Sequence, residues 1–104
     1  MKEQNLQLEQ FEWDHWNANK IRNKHSVESY ECEEVFFNRS FISVDELHSK
    51  VEQRFHVLGV TNSGRLLFAV FTIRGKKIRV ISARNMSNKE RREYEKRIKE
   101  NSVF

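Results

Sequence analysis

Arg79 and Arg84 sit within an apolar run rather than in a loop of this 104-residue chain. They belong to LLFAVFTIRGKKIRVISAR, Leu66 to Arg84, where two β-branched stretches flank a turn at Gly75. A guanidinium fixed on a strand offers a planar fork of donors that matches phosphate oxygens and stays charged at any working pH. Nearby in sequence or type are further cations and proton-transfer groups: Arg74, Arg91, Arg92, Tyr94, Lys24 and His25. Such a set suits RNA cleavage without a metal. In that reaction the ribose 2′-hydroxyl attacks the adjacent phosphate, so the protein must supply a base, an acid and cations around the phosphate. Histidine exchanges protons near neutral pH. Tyrosine or lysine can do so when neighbours lower its pKa.

Each of these residues also has a plainer reading. Charges on a strand guard its edge against aggregation. Arg91, Arg92, Lys96, Arg97 and Lys99 form a solvated helix face, with Glu93 and Arg97 as an i,i+4 pair. Tyr94 serves as that helix's packing anchor, and Lys24-His25 as cations closing another helix. Other chemistries find no support. His15, His25, His48 and His56 are scattered, and the single Cys32 cannot build a thiolate metal site. There is no phosphate-binding glycine loop and no nucleophile elbow. Cys32 lies among Glu31, Glu33 and Glu34, which disfavour a thiolate and suit a structural cysteine.

The elements that must position these groups follow from capping and periodicity. Residues 1–10 are polar and expected to be flexible. Phe11-Glu12-Trp13 is a short strand or a hydrophobic anchor. Asp14 caps a helix running to His25, with Trp13, Trp16 and Ile21 on its apolar side. Ser26 is a cap for a second helix, Val27 to Phe37, whose glutamates form a solvated acidic face. Four strands follow: Ser40 to Val44, Gln53 to Thr61, Leu66 to Arg74 and Lys77 to Arg84. Asp45 to Val51 is a polar connection. Ser87 and Glu90 form a capping box for a last helix, Asn88 to Glu100. The expected fold is α+β, with two N-terminal helices, a four-stranded antiparallel sheet and a C-terminal helix in one domain over 1–104.

A turn centred on Gly75-Lys76 pairs Ile73 with Ile78, Thr72 with Arg79 and Phe71 with Val80. Continued without a break, that register pairs Val70 with Ile81 and Ala69 with Ser82. Both faces of the sheet then come out largely apolar. The helices suffice for one face, so the second is expected to be covered by another chain.

The formal charge of +4 points to an anionic partner, although charges of both signs are mixed through the sequence. The opening MKEQNLQLEQ has no apolar core, and no run reaches the roughly 18 to 20 apolar residues needed to span a bilayer. A reduced, cytoplasmic protein with no membrane contact, metal or cofactor is expected.

Several segments, in order and at matching spacing, resemble the BrnT-type toxin family. They are Phe11-Glu12-Trp13-Asp14 with Lys24-His25 eleven residues beyond the tryptophan, then Glu33 to Phe36, and Arg54 to Gly59. After these come Gly64 to Gly75, Ile78 to Arg84, and Glu90 to Glu95. The resemblance spans residues 11 to 95. It implies a RelE-like fold and a metal-independent endoribonuclease toxin of a bacterial type II toxin–antitoxin pair. It also implies a BrnA-like antitoxin partner that covers the second sheet face and alone contacts DNA. Whether the RNA is met on the ribosome is left open. Carried over from the family, Arg79 and Arg84 would clamp phosphate, and Tyr94 and His25 would move protons or position substrate. Lys24, Arg74 and Arg91 would be RNA contacts. Asn17, Ile21 and Ser26 stand where family members often carry lysine, asparagine and glycine. These departures keep open a second reading, a non-catalytic RNA- or partner-binding module of the same fold.

Overall fold

The computed structural model describes residues 10–101, so the expectation for residues 1–9 lies outside the described residues. The element order is β1 (Gln10–Phe11), α1 (His15–His25), α2 (Ser29–Phe37), β2 (Phe41–Asp45), β3 (Arg54–Val60), β4 (Leu66–Arg74), β5 (Lys77–Asn85) and α3 (Asn88–Asn101). The sheet is five-stranded and mixed, in the order β1-β5-β4-β3-β2. The expected four-stranded antiparallel sheet is therefore incomplete. A strand precedes the two helices, and it pairs parallel with β5 through Gln10–Lys77 and Phe11–Ile78. The other pairings are antiparallel, as expected.

Local chemistry sets the helix ends. Asp14 is the N-cap of α1, accepting from the amides of Trp16 and Asn17, and Asn17 completes a capping box. Ser26 does not start the next helix. It closes α1 in the left-handed region at φ 55°, where glycine is ordinarily favoured. The cap of α2 is instead Glu28, and that helix begins at Ser29. Its glutamates are not simply solvated. Glu31 holds Arg65, Glu33 accepts from the Trp13 indole, and Glu34 accepts from the Asn62 amide.

The two N-terminal helices bury one face of the sheet. Ile21, Val27, Cys32 and Val35 pack on Val57, Leu67, Ala69, Phe71, Ile78, Val80 and Ala83. Trp16 does not join this core and is 78 % exposed. The other face is apolar at one end, along Phe41, Leu58, Val60, Leu66 and Phe68, and α3 covers that end through Tyr94 and Ile98. Leu66, Phe68 and Val70 remain half-buried on that face. The rest of that face is polar except for Val70: Ser43, His56, Val70 and Ser82 form one row across the strands, and Asp45, Arg54, Thr72 and Arg79 the next.

The β4–β5 register departs from the unbroken ladder. Ile73–Ile78, Thr72–Arg79 and Phe71–Val80 pair as expected, but Val70 then meets Ser82 and Ala69 meets Ala83. Ile81 is the extra residue of a β-bulge. Every side chain beyond it changes face relative to the unbroken register, because strand side chains alternate with a period of two. Ala83 thereby enters the core, and Arg84 joins the polar face.

Candidate functional site on the polar sheet face

The chemistry-bearing part of this face is a row of side chains running diagonally across four strands to α3. It begins at Asp45, the last residue of β2, which is buried although charged. Its carboxylate accepts from the amides of Leu47 and His48, and lies 2.9 Å from His48 Nδ1 and 3.0 Å from His56 Nε2. Burial pushes its pKa up, but the hydrogen bonds from His48 and His56 and the charge of His56 outweigh that push. The net result lies below the ordinary value.

His56 stands mid-strand on β3. With Nε2 held by Asp45, its Nδ1 has no hydrogen bond to the described residues. Its ring lies 5.1 Å from that of Phe68, and the Arg84 guanidinium sits 4.4 Å from the Phe68 centroid on the row's far side. That distance is a cation–π contact. Arg84 then reaches Glu90 of α3 with both terminal nitrogens, at 2.7 and 2.9 Å. Glu90 also accepts from the Ser87 amide, in the expected capping box. A cleft of about 430 Å³ opens along this row, lined by His56, Leu58, Phe68, Ser87, Lys89, Glu90 and Glu93. An imidazole fixed through one nitrogen, in the wall of a cleft that also carries Lys89, can transfer a proton at a bound phosphodiester.

Ser43 lies directly opposite His56 on β2, and its buried Oγ has no hydrogen-bond partner. Among the described residues no three His, Cys, Asp or Glu side chains converge to hold a metal ion.

The residues expected from the sequence do not all meet. Arg79 and Arg84 share the polar face but sit at its two ends, about 15 Å apart along the strand. Arg79 is paired with Asp14 at 2.8 Å and lies 3.6 Å from Glu12. The hydrogen bond from Arg79 holds the Asp14 carboxyl below its usual range. With Arg74, Arg54, Lys20 and Trp16, Arg79 lines a second cleft of about 440 Å³. Arg74 pairs with Glu52 and Glu12 at the rim. Lys24 and His25 close α1 and line a small pocket with Ser82. Arg91 is exposed on α3.

Tyr94 is a packing anchor. Its ring meets Phe41 edge-on, its hydroxyl donates to the Arg39 carbonyl at 2.7 Å, and burial raises its pKa. Each of these opposes proton transfer near neutral pH. Cys32 is buried, and desolvation aided by Glu31 pushes its thiol up to about 12, so it is inert.

Sequence reasoning passed over His56 and Asp45. One signal was available: His56 is the one polar side chain within the otherwise apolar stretch Phe55 to Val60. Asp45 gave none, because its role depends on a partner 11 residues away on the next strand.

A family model described as "Ribonuclease toxin, BrnT, of type II toxin-antitoxin system" matches residues 13–90. No curated protein matches the chain.

Proposed function

The chain belongs to the BrnT family of ribonuclease toxins of type II toxin–antitoxin systems, and from that membership we propose that it cleaves RNA without a metal ion at the His56–Arg84 row. The observation that carries this reading is His56 itself, held by Asp45 through Nε2 and lining the cleft. In the proposed reaction the 2′-oxygen forms a bond to phosphorus as the bond to the 5′-oxygen breaks. His56 Nδ1 accepts the 2′-hydroxyl proton, and the departing 5′-oxygen gains one from water in the open cleft. The products are a 2′,3′-cyclic phosphate and a 5′-hydroxyl. Arg84 and Lys89 supply positive charge to the pentavalent phosphate. Arg79, Arg74 and Arg54 extend the path for the RNA backbone.

This arrangement assigns Tyr94 to packing, and Lys24 and His25 to the flank of the RNA path. Antiparallel strands following two helices support the RelE-like arrangement implied by the family. Neutralisation by a cognate BrnA-like antitoxin fits the same surface, because a protein covering the His56–Arg84 row would exclude RNA from it.

The test is incubation of the free protein with RNA in chelator, with and without ribosomes. We expect cleavage with cyclic-phosphate ends, its loss in His56→Ala, and its suppression by the antitoxin. No products under either condition would remove the enzymatic reading. A second reading would then stand, a non-catalytic RNA- or partner-binding module. One observation favours it: the forks of both Arg79 and Arg84 are already occupied by carboxylates.

A further inference from the structure

Trp16 is 78 % exposed at the start of α1, and its neighbours are not those of a protein-docking residue. The cleft it lines with Asn17 and Lys20 also takes in Arg54, Arg74 and Arg79, with Glu52 as its one carboxylate. Two of these cations are tied up, Arg79 with Asp14 and Arg74 with Glu52. The side chains of Lys20 and Arg54 make no ion pair or hydrogen bond to the described residues. Trp16 and Lys20 are four residues apart, so they share one face of α1, and Lys24 continues that stripe one turn further. The His15 ring lies 6.1 Å from the indole, edge-on, and braces one side of it. The molecule's other large exposed hydrophobics, Tyr30, Phe37, Leu47 and Val51, do not line this cleft.

A large flat ring amid cations suits a ligand with its own π-face and attached negative charge. Base stacking on an aromatic side chain beside a basic groove is the common way to hold an unpaired nucleotide. An apolar protein segment would meet charged walls here instead. We propose that Trp16 is a stacking platform for one unpaired base of the RNA, with Lys20 and Arg54 taking the flanking phosphates. The site then selects single-stranded RNA, and it sits at the Arg79 end of the polar face, with Arg54 in the row next to that of His56. This inference rests on the ribonuclease reading above, and it concerns where the substrate is gripped rather than where it is cut.

The test measures binding of the full chain to a single-stranded 2′-O-methyl oligonucleotide, which cannot be cut because its 2′-oxygen is blocked. Trp16→Ala is expected to weaken binding about 5- to 100-fold, and Trp16→Phe to restore most of it. Alanine is a good helix former, so α1 should persist. The salt dependence should be unchanged in Trp16→Ala, because stacking releases no counterions. In Arg54→Ala the slope of log K against log salt should fall by about 0.7. An oligonucleotide carrying an abasic site at the stacked position should bind wild type and Trp16→Ala equally. If Trp16→Ala keeps full affinity while the wild type still cleaves RNA, this inference alone falls. The same holds if Trp16→Ala loses only antitoxin binding. If the wild type binds no RNA, both readings fall.

Discussion

Arg79 and Arg84 stand on the same face of the sheet, although they are five positions apart, because Ile81 between them has no partner in the β4–β5 ladder. Without that extra residue an odd and an even position would point to opposite sides. The bulge therefore places both guanidiniums on the face that carries His56. It also moves Ala83 into the core, where it is fully buried. Deleting Ile81 should return Arg84 to the helix-covered face. RNA cleavage should be lost, and the protein destabilised by a charge in its core.

His56→Ala should slow RNA cleavage by about 100-fold or more, the usual range for a lost proton-transfer group. RNA affinity should hold, since the phosphate contacts remain. Asp45 keeps the two amides and His48, so thermal stability should change little. Single-turnover rates beside a melting curve check both halves. Equal rates in wild type and variant would take His56 out of the site.

Tyr94→Phe separates packing from chemistry. The ring contact with Phe41 survives and only the hydrogen bond to the Arg39 carbonyl is removed. We expect a loss of about 0.5–1.5 kcal/mol in stability and no change in cleavage rate. A large drop in rate with stability intact would return the phenol to the catalytic set.

Asp14→Asn should strengthen RNA binding. Asparagine caps a helix as well as aspartate does, so the bonds to the Trp16 and Asn17 amides can persist. What is removed is the carboxylate charge that holds Arg79 at 2.8 Å. The guanidinium, left with only Glu12 at 3.6 Å, turns to the RNA and adds about one phosphate contact, which steepens the salt dependence by about 0.7. Binding titrations at several salt concentrations measure it. An unchanged slope would mean that Arg79 does not meet the backbone.

Acid should weaken the polar face from both ends. The folded pKa of Glu90 lies below its ordinary 4.5, and that of Asp45 below its ordinary 3.8. A group depressed in this way contributes stability that is fully present above its unfolded value and lost as the pH falls through the folded one. Stability should therefore decline as the pH falls from about 5 to below 3. Glu90→Gln and Asp45→Asn should each flatten that decline. Denaturant midpoints measured across this range decide it, and variants that track the wild type would contradict it.

Gly59→Ala tests the seat of α2 on the sheet. A methyl there would lie 2.5 Å from Val35 Cγ1 and 3.2 Å from the Val35 carbonyl oxygen. The backbone of α2 must shift to admit it, at a cost of about 1–3 kcal/mol. Gly75→Ala meets no such atom, but it sits at φ 64° and loses stability through backbone strain instead.

Within the chain, the features that depend on near neighbours were legible. Asp14 and the Ser87–Glu90 box fixed two helix starts, and alternation with Gly75 fixed the β4–β5 hairpin and its first three pairs. The ordered segments from Phe11 to Glu95 carried the family. Packing against distant segments decided the rest. Phe11 was open between a short strand and an anchor, and Gln10–Phe11 became a strand because β5 offered it a free edge. The bulge at Ile81 reversed the faces beyond it, since register is set by which side chains fill the core rather than by the turn alone. Asp45 and His56 became a pair only when β2 lay against β3. Two polar residues 11 apart carry no mark of that meeting until strand pairing brings their side chains to one side of the sheet.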